Sequence, residues 1–311
     1  MSNTINESQG FAAILEKNLY KIFKERQEFH TLKDMIPKLY TEINDSTRPY
    51  EEFISISSLP DLPKFNGKFT GINLYQGYTS KIEPGEYGAV VMSERKLIDD
   101  SKIGLIEDIA ADLATSANRV REKNSVRIFS NATSIAFDFM KSEEGVSLSS
   151  SAHKTKVPGV STTTGFSNAG TSALTPVSLA AARILMRRFK DSQGERYEVG
   201  DNFGIIHPDA LNFKVEEIIG TDKGLYSAEG TKNVQKGRYE SIPLMRLDDT
   251  SATAWGLVDM TTMKKNLMWI QRARAEYKAR VDFMTMATEQ TCYERHGYGF
   301  LGWRWIYWNA A

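Results

Sequence analysis

The chain has 311 residues, of which 41% are hydrophobic and 25% are charged, a composition typical of a globular protein long enough to bury a core. Lysine plus arginine and aspartate plus glutamate number 39 each, so the formal net charge is zero and gives no overall attraction to nucleic acid. The single cysteine, Cys292, excludes an internal disulfide, and no run of about 20 apolar residues and no secretion signal is visible, so we expect a soluble protein made in the cytoplasm.

Residues 11–43 are predicted to form two amphipathic helices that precede any strand. Pro37 is expected to end or bend the second helix. Because short amphipathic helices need a surface to cover, we expect an arm that lies over something else. The apolar positions are Phe11, Ile14, Leu15, Leu19, Ile22 and Phe23, followed by Leu32, Met35, Ile36 and Leu39.

Between Tyr50 and Val91 the pattern becomes that of strands separated by glycine and proline. The apolar residues there are too sparse to build a core. Residues 63–88 are therefore predicted to form a long exposed β-hairpin, with two arms of about 12 residues and a reach of ~40 Å. A hairpin of that length must rest on a partner.

The segment from Asp99 to Asn124 is predicted to be the longest helix, about 39 Å at 1.5 Å per residue. Its first half carries acidic residues and its end carries basic ones, which complements the helix dipole. A second amphipathic piece is expected from Ile128 to Phe139. The apolar face of the long helix consists of Ile103, Ile106, Ile109, Leu113, Ala117 and Val120.

The remaining chain alternates loops, helices and strands. Residues 145–175 read as a polar loop, and Thr175-Pro176 is a helix start signal. Strands are expected around Leu267, Trp269 and Tyr277, whereas residues 282–294 are compatible with a helix. The other expected elements are helices over Val177–Phe189 and Leu211–Ile219, and strands over Phe203–Ile206, Ile242–Leu247 and Ala254–Met260.

The last sixteen residues combine a glycine pattern with a run of aromatic side chains. Gly297, Gly299 and Gly302 spell the dinucleotide-binding pattern, which requires a helix after the glycines. Only nine residues follow Gly302 and they read as a strand, so we expect no cofactor and interpret the glycines as a turn. The aromatic residues expected to be fixed in a core or in a seam between subunits are Trp303, Trp305 and Trp308.

Catalytic and metal-binding patterns are weak. The four histidines are scattered, and none has a second histidine at metal-ligand spacing, so no metal site is expected. Cys292 and His296 would face each other on a helix, which leaves a small-molecule enzyme as a remote alternative, although a buried thiol beside a chance histidine is the favoured interpretation. The basic residues between 264 and 280 are interpreted as a solvated face rather than as phosphate contacts.

The order of elements resembles that of the major capsid proteins of tailed bacteriophages. The likeness rests on soft patterns of residue class that extend over nearly the whole chain. The segments that carry it are Ser149–His153 with the polar loop after it, Ala173–Ala180, Asn202–Ala210 and Asp259–Ala311.

The resemblance implies an α+β capsid fold with an N-terminal arm, an extended β-hairpin (the E-loop), a long spine helix, and peripheral and axial domains. In this family the arm and the E-loop reach onto neighbouring subunits. The implied division is 1–49 for the arm, 50–97 for a peripheral strand and the E-loop, 98–145 for the spine helix and peripheral domain, 146–255 for the axial domain, and 256–311 for the return through the peripheral sheet.

The implied function is that of a major capsid protein that is not an enzyme and that self-assembles into pentamers and hexamers of an icosahedral head around double-stranded DNA. An encapsulin-like nanocompartment shell remains the nearer alternative. Expected partners are other copies, DNA contacted without sequence specificity, and scaffolding, portal or decoration proteins, but no membrane. Some members of this family crosslink a lysine of the E-loop to an asparagine of a neighbouring subunit. Lys64, Lys68 and Lys81 lie on or near the hairpin here, but nothing in the sequence marks a partner asparagine, so we do not infer this crosslink. Candidate assembly residues are Lys64, Phe65, Lys68, Phe69, Tyr75, Tyr78, Trp303, Trp305 and Trp308.

Overall fold

The structure is a computed structural model of three sheets and the helices that cover them. It describes residues 5–31, 34–94, 96, 103–136, 140–221, 232–282 and 287–311, with side chains for all of these except 5–15 and 103. The helices are α1 (Ile5–Thr31), α2 (Ile36–Leu39), α3 (Ile103–Ser130), α4 (Pro176–Met186), α5 (Asn212–Gly220) and α6 (Met260–Asn266). The strands are β1 (Thr41–Ile43), β2 (Glu51–Ile56), β3 (Gln76–Ile82), β4 (Gly85–Ser93), β5 (Met140–Ser142), β6 (Ala169–Gly170), β7 (Phe203–His207), β8 (Tyr239–Pro243), β9 (Trp255–Asp259), β10 (Leu267–Val281), β11 (Thr288–Phe300) and β12 (Ile306–Asn309).

The first sheet has the strand order β1-β10-β11-β4, with the long antiparallel pair β10 and β11 at its centre. Helices α1 and α3 lie across one face, which we call the inner face. There, Phe23 of α1 stacks on Tyr277 of β10 with ring centroids 5.0 Å apart. The buried members of this cluster are Leu19, Phe23, Ile106, Ala110, Leu113, Ala114, Ala275, Tyr277 and Cys292.

The N-terminal segment differs from the prediction of two helices over another surface. Residues 5–31 form one helix, α2 is a single turn, and residues 41–43 are a strand of the first sheet. Leu19 and Phe23 are fully buried against this chain's own α3 and β10, so residues 16–31 pack on their own subunit. Leu32, which belongs to the predicted second helix, lies outside the described residues.

The predicted long helix is confirmed, with shifted ends. Asp99, its predicted first residue, lies outside the described residues, and α3 continues past Asn124 to Ser130. The helix therefore absorbs the start of the predicted second piece, whose end at Phe139 is also outside the described residues. Its last two turns, from Asn124 to Phe129, are largely buried, and their apolar residues join the main core.

The second sheet has the order β6-β12-β9-β7-β8 and carries the main core. All five residues of β7 and of β9 are buried, which explains their continuous apolar sequences. Helix α4 begins as predicted, because Thr175 accepts from the Ser178 backbone and Ser178 accepts from the Thr175 backbone, a capping box. The strand predicted from Ile242 to Leu247 lies earlier in the chain, at Tyr239–Pro243, and Met245–Leu247 form a 3₁₀ turn instead.

The third sheet, β2-β3-β5, contains a hairpin in a different place from the predicted one. Its arms are β2 and β3, whereas β4 pairs with β11 of the first sheet, so residues 63–88 are not two arms of one hairpin. Residues 57–75 between the arms carry no strand. Pro60 and Pro63 lack the N–H that a ladder needs, and Gly67 has a φ of +94°, so the sequence itself prevents pairing there.

The helix considered for residues 282–294 is wrong. Residues 288–300 form β11, which pairs on both sides with β10 and β4. The pattern misled because this strand is covered on its inner face and partly covered on its outer face. Buried polar residues such as Gln290 and Glu294 remove the alternation that marks a half-exposed strand.

Candidate assembly surface

The hairpin of β2 and β3 ends in a segment with several large, exposed apolar side chains. Its last paired positions are Ser57 and Tyr75: the Ser57 N–H donates to the Tyr75 carbonyl at 2.9 Å, and the Tyr75 N–H donates to Ser57 Oγ at 3.0 Å. The segment beyond them, residues 58–74, is called the hairpin tip below. Its ends are held close together by these two hydrogen bonds.

The base of the tip is fixed to the body of the molecule. The Ser58 N–H donates to Ser192 Oγ at 2.6 Å, and Gln193 Nε2 donates to the Ser58 carbonyl at 2.8 Å. Residues 191–195 form a turn beyond α4. The direction in which the hairpin leaves the body is therefore set by a fixed contact rather than by the two strands alone.

The tip itself exposes large apolar side chains. Phe65 is 63% exposed and Phe69 is 89% exposed, and their rings contact each other at 5.2 Å between centroids. Lys64 and Lys68 flank them and are exposed. Exposed apolar clusters of this kind mark interaction sites, because a monomer gains nothing from presenting them to water. The tip also exposes Leu59, Leu62 and Leu74.

Tyr75 and Tyr78, predicted together with the tip residues, lie just below the tip, where the pairing of the two arms ends, and are half-buried. The Tyr78 ring lies 5.2 Å from Lys156 Nζ, and its pKa is raised by burial and by the charges of Glu144 and Glu143. These two tyrosines support the hairpin from below. They offer less area to another molecule than Phe65 and Phe69.

The C-terminal tryptophans lie inside the molecule. Trp303 stacks on His153 with ring centroids 4.3 Å apart. The Trp305 indole N–H donates to the Gly302 carbonyl at 2.6 Å, and Trp308 belongs to β12, which lies between β6 and β9. Trp303, Trp305 and Trp308 are at most 2% exposed. Of the two predicted places, a core and a seam between subunits, the structure puts these residues in the core of this chain.

Of the three glycines before the tryptophans, only Gly302 lies in a turn, in the connection between β11 and β12. Gly297 and Gly299 lie within β11 and do not have positive φ. A Cβ on Gly297 would lie 3.0 Å from Pro84 Cα, and one on Gly299 would lie 2.8 Å from Ile82 Cδ1. These glycines allow the root of the hairpin to pack directly on the outer face of the first sheet. Residues 301–305 then lead into β12, so the predicted terminal strand begins only at Ile306.

Cys292 and His296 do not form a nucleophile pair. On a strand, four residues span about 13 Å, so the two side chains are separated rather than adjacent. Burial raises the pKa of the Cys292 thiol to about 11, with a further contribution from Glu294, which opposes formation of the reactive thiolate. His296 lies between the rings of Tyr87 and Trp269, at 4.7 and 4.8 Å between centroids.

Three polar side chains, those of Asn124, Arg121 and Glu294, lie near His296 on the inner face, and we call these four residues the polar row. Asn124 of α3 contacts His296 Nε2 at 2.8 Å. Burial, followed by the charge of Arg121, lowers the pKa of His296 to about 3, whereas burial raises the pKa of Glu294 to about 7 against the opposing effect of Arg121. At neutral pH the histidine is uncharged, so this row acts as a packed polar layer between α3 and the sheet rather than as an acid–base site.

Sequence reasoning missed one surface. Val90 and Met92, on the edge strand β4, are 50% and 65% exposed and point to the outer face of the first sheet. The signal was present, since every second residue from Glu86 to Met92 faces outward. This alternation does not identify an edge strand when residues 63–88 are predicted to form both arms of one hairpin, because the segment is then assigned to the second arm.

Within the described ranges, no group of three histidine, cysteine, aspartate or glutamate side chains is placed to hold a metal ion. Among the described helices, none is both long and apolar enough to cross a bilayer.

Comparisons with known proteins agree with one another. A sequence model described as phage capsid protein matches residues 77–309, and a search of curated proteins gives no match. Among solved structures, the chain is similar to the capsid of Ralstonia phage GP4 (TM-score 0.56, 11% identity, 89% of this chain and 88% of that chain). It is also similar to a chain of Mycobacterium phage Patience (0.58, 10%, 94% and 86%) and to the capsid of a native GTA particle (0.52, 11%, 88% and 89%). The α+β fold expected from the sequence is confirmed.

Proposed function

Because the chain belongs to the phage capsid protein family and is a major capsid shell subunit, we propose that its copies form the pentamers and hexamers of an icosahedral head that encloses double-stranded DNA. The role is structural rather than catalytic. The subunit acts in the virion after assembly in the host cytoplasm.

The observation that carries this proposal is the hairpin tip. It holds apolar side chains in water at the end of two paired strands, and its base is fixed so that the tip projects from the body. Phe65 and Phe69 contact each other and are otherwise largely exposed in the described part of the chain. A second copy covers them in the assembled shell.

Ring formation follows from the type of contact. A tip that seats on a different part of a neighbour makes a head-to-tail contact, and repeated head-to-tail contacts close into rings when the rotation per subunit fits. The capsid structure of the native GTA particle was computed with C5 symmetry, so a similar chain is known in a shell treated as five-fold. That symmetry supports rings of five copies, and rings of six are the further part of the proposal.

We assign the peripheral domain to the first and third sheets with α3, and the axial domain to the second sheet with α4 and α5. The axial domain exposes large apolar side chains that suit contacts around the centre of a capsomer. In sequence, the arm is 1–49, the first peripheral part with the hairpin 50–97, the spine helix region 98–145, the axial domain 146–255, and the return 256–311. Within the return, β10 and β11 belong to the first sheet, whereas β9 and β12 complete the second sheet and so join the axial domain. The exposed axial side chains are Val177, Ile184, Phe213 and Met245.

The partners of the shell follow from its charge. A net charge of zero lets many copies lie side by side without mutual repulsion, and it suits DNA contacts that are weak and without sequence preference. Scaffolding, portal and decoration proteins complete the expected set of partners.

A loop deletion tests the role of the tip. Residues 60–73 are replaced by a short glycine-containing linker, which keeps the Ser57–Tyr75 hydrogen bonds and the contacts of Ser58 with Ser192 and Gln193. Deleting all of 63–88 would also remove β3, so it would damage two sheets. We expect the shortened subunit to fold, as judged by circular dichroism, but to form few or no shells in negative-stain micrographs.

Shells formed by the shortened subunit at wild-type yield would refute the role of the tip. Particle contents separate the two shell functions: heads recovered from a lysate of infected cells should contain double-stranded DNA, whereas a compartment would contain an enzyme cargo and little DNA.

A further inference from the structure

A cavity lies at the base of the hairpin, where the hairpin meets the body of the molecule. Its walls come from β2 and β3, from residues 154–156, from the turn at 191–192, and from the connection between β11 and β12. The cavity has a volume of about 220 Å³. That is several times the ~30 Å³ share of one water molecule, yet below the roughly 300–1,000 Å³ of pockets for drug-sized ligands. The size suits a small ion.

Arg304 is held in the wall of this cavity by three contacts. Its guanidinium carbon lies 4.6 Å from the centroid of the Trp303 ring and 5.6 Å from that of the Phe166 ring. Its Nε donates to the Lys190 carbonyl at 2.6 Å. Among the described residues, neither terminal nitrogen of Arg304 has a hydrogen-bond acceptor. These contacts orient the guanidinium and leave its two terminal nitrogens available to a ligand.

The charge of Arg304 has no direct counter-ion. Within the part of the chain that the structure describes, no carboxylate lies within 4.0 Å of its guanidinium. Burial lowers the pKa of Arg304, although the charges of Glu144 and Asp191 act in the opposite direction. These two carboxylates have nearer partners, since Glu144 Oε1 contacts His153 Nδ1 at 3.0 Å and Asp191 Oδ1 accepts the Gln193 N–H at 2.9 Å. A largely buried cation in this position favours an anion that these residues do not supply.

Two lysines line the same cavity. Lys154 is exposed and has no ion pair among the described residues, whereas Lys156 pairs with Glu143. Among the described lining residues, three carry a positive charge and Asp191 alone carries a negative one. The cavity is therefore positive in a chain whose net charge is zero.

Hydroxyl groups complete the lining. Ser57 Oγ accepts the Tyr75 N–H at 3.0 Å, and Ser192 Oγ accepts the Ser58 N–H at 2.6 Å. A hydroxyl that accepts a hydrogen bond still has its own hydrogen to donate. Ser57 belongs to the hairpin and Ser192 to the body, so the cavity offers donors from both sides of the junction.

We infer that this cavity binds a phosphate group, and we call the residues Arg304, Lys154, Ser57 and Ser192 the Arg304 site. An oriented guanidinium, an ammonium group and hydroxyl donors together suit a tetrahedral oxyanion, which accepts several hydrogen bonds at once. The inference goes beyond the shell function and does not depend on assembly. Bound phosphate bridges the hairpin and the body and so adds to the contacts that set the direction of the hairpin.

Isothermal titration calorimetry of the full-length protein with sodium phosphate tests the site. At neutral pH, in chloride buffers of matched ionic strength, we expect one phosphate per subunit with a Kd below about 1 mM. Acetate should bind at least about tenfold more weakly, because it offers fewer acceptor oxygens. No phosphate binding up to about 10 mM, or acetate binding as tight as that of phosphate, would overturn the inference.

Variants locate the binding. Lys154→Ala removes an exposed side chain and should weaken phosphate binding about fivefold, and Arg304→Lys, which keeps the charge but loses the planar fork, about tenfold. The matched control is Lys214→Ala, which removes the same charge from an exposed position on α5 and should stay within about twofold of wild type. Equal weakening by Lys154→Ala and Lys214→Ala would reveal a general charge effect and overturn the site, even if Arg304→Lys fails to fold.

A phosphate group has two sources, the free ion and the backbone of DNA. A short DNA duplex added to the phosphate-loaded protein distinguishes them, because displacement assigns the site to a nucleic-acid phosphate and no displacement assigns it to the free ion. Shells that form from a protein without phosphate binding would overturn the Arg304 site and leave the shell function standing. Phosphate binding by a protein that forms no shells would have the opposite meaning.

Hydrogen exchange provides a second measurement on the wild-type protein. Since the Ser58 N–H donates to Ser192 Oγ in the wall of the cavity, saturating phosphate should slow exchange in peptides that contain Ser58 at least about threefold. Peptides from α5 serve as the internal control and should not change. Equal exchange at Ser58 with and without saturating phosphate would contradict the placement of the site at the base of the hairpin.

Discussion

Replacement of Trp305 by alanine separates a core role of the C-terminal tryptophans from a role in subunit contacts. Trp305 has no exposed surface, its indole N–H donates to the Gly302 carbonyl, and its ring meets Phe129 edge-on with centroids 6.2 Å apart. Truncation of a buried tryptophan costs about 3–5 kcal/mol, through lost burial and the cavity left behind. This is a large part of the roughly 5–15 kcal/mol that stabilises a typical domain.

The cost translates into a measurable shift in melting temperature. With an unfolding entropy of about 2.1 cal/mol/K per residue over the whole chain, Trp305→Ala should lower Tm by about 5–8 °C. The assay is thermal unfolding of unassembled subunits followed by circular dichroism. Trp305→Phe keeps most of the ring area and loses the indole hydrogen bond, so its Tm should lie between those of Trp305→Ala and wild type.

Phe69→Ala is the matched control, because Phe69 is an aromatic residue that is 89% exposed. We expect its free energy of unfolding to change by no more than about 0.5 kcal/mol, as for other exposed sites, while its shell yield falls. The reasoning would be refuted if Trp305→Ala melted within 1–2 °C of wild type. It would also be refuted if Phe69→Ala lowered Tm as much as Trp305→Ala does.

Three further predictions concern the first sheet. Burial raises the pKa of Glu294 to about 7. Between about pH 4.3 and pH 7 the folded protein therefore keeps a proton that the unfolded chain has lost. The free energy of unfolding consequently falls as the pH rises through this range. Glu294→Gln removes that loss and should be more stable than wild type by ~1–3 kcal/mol at pH 8 but not at pH 4.5 in urea titrations; equal differences at both pH values would contradict the account. His296, whose pKa is lowered to about 3, contributes the opposite slope between about pH 3 and 6.5 in both proteins, so it cancels in the comparison. Gly297→Ala combined with Gly299→Ala should cost about 1–3 kcal/mol by crowding Pro84 and Ile82, whereas Gly71→Ala, which has open space around it, should cost less than about 1 kcal/mol in the same titration. Cys292 should react with iodoacetamide at pH 8 at least about tenfold more slowly in the folded subunit than in urea, and equal rates would show that the thiol is exposed.

Local signals predicted helices α4 and α5 and the buried strands β7 and β9 close to their observed positions. Thr175-Pro176 marked the start of α4, and the capping box is formed by the predicted N-cap. The apolar run at Phe203 became a strand buried along its whole length. In these places the sequence pattern and the tertiary environment require the same structure.

The sequence could not predict features that depend on which surfaces meet. Gly297 and Gly299 read as a turn, yet they lie in a strand because Ile82 and Pro84 come from a segment more than 200 positions earlier. The alternation from Glu86 to Met92 indicates a strand with one outward face, but the sequence does not show that this strand pairs with β11 at the edge of the first sheet. Helix α1 was expected to cover another surface, and the structure shows that surface to be this chain's own first sheet.

The most direct test of the central claim is the mass and shape of the purified full-length protein, measured by light scattering after size-exclusion chromatography and by electron microscopy of the same fraction. The account predicts closed shells of many copies of the 35.0 kDa chain, with five-fold vertices visible after image averaging. A monodisperse monomer or dimer that stays small across protein and salt concentrations, with the wild-type hairpin intact, would contradict it.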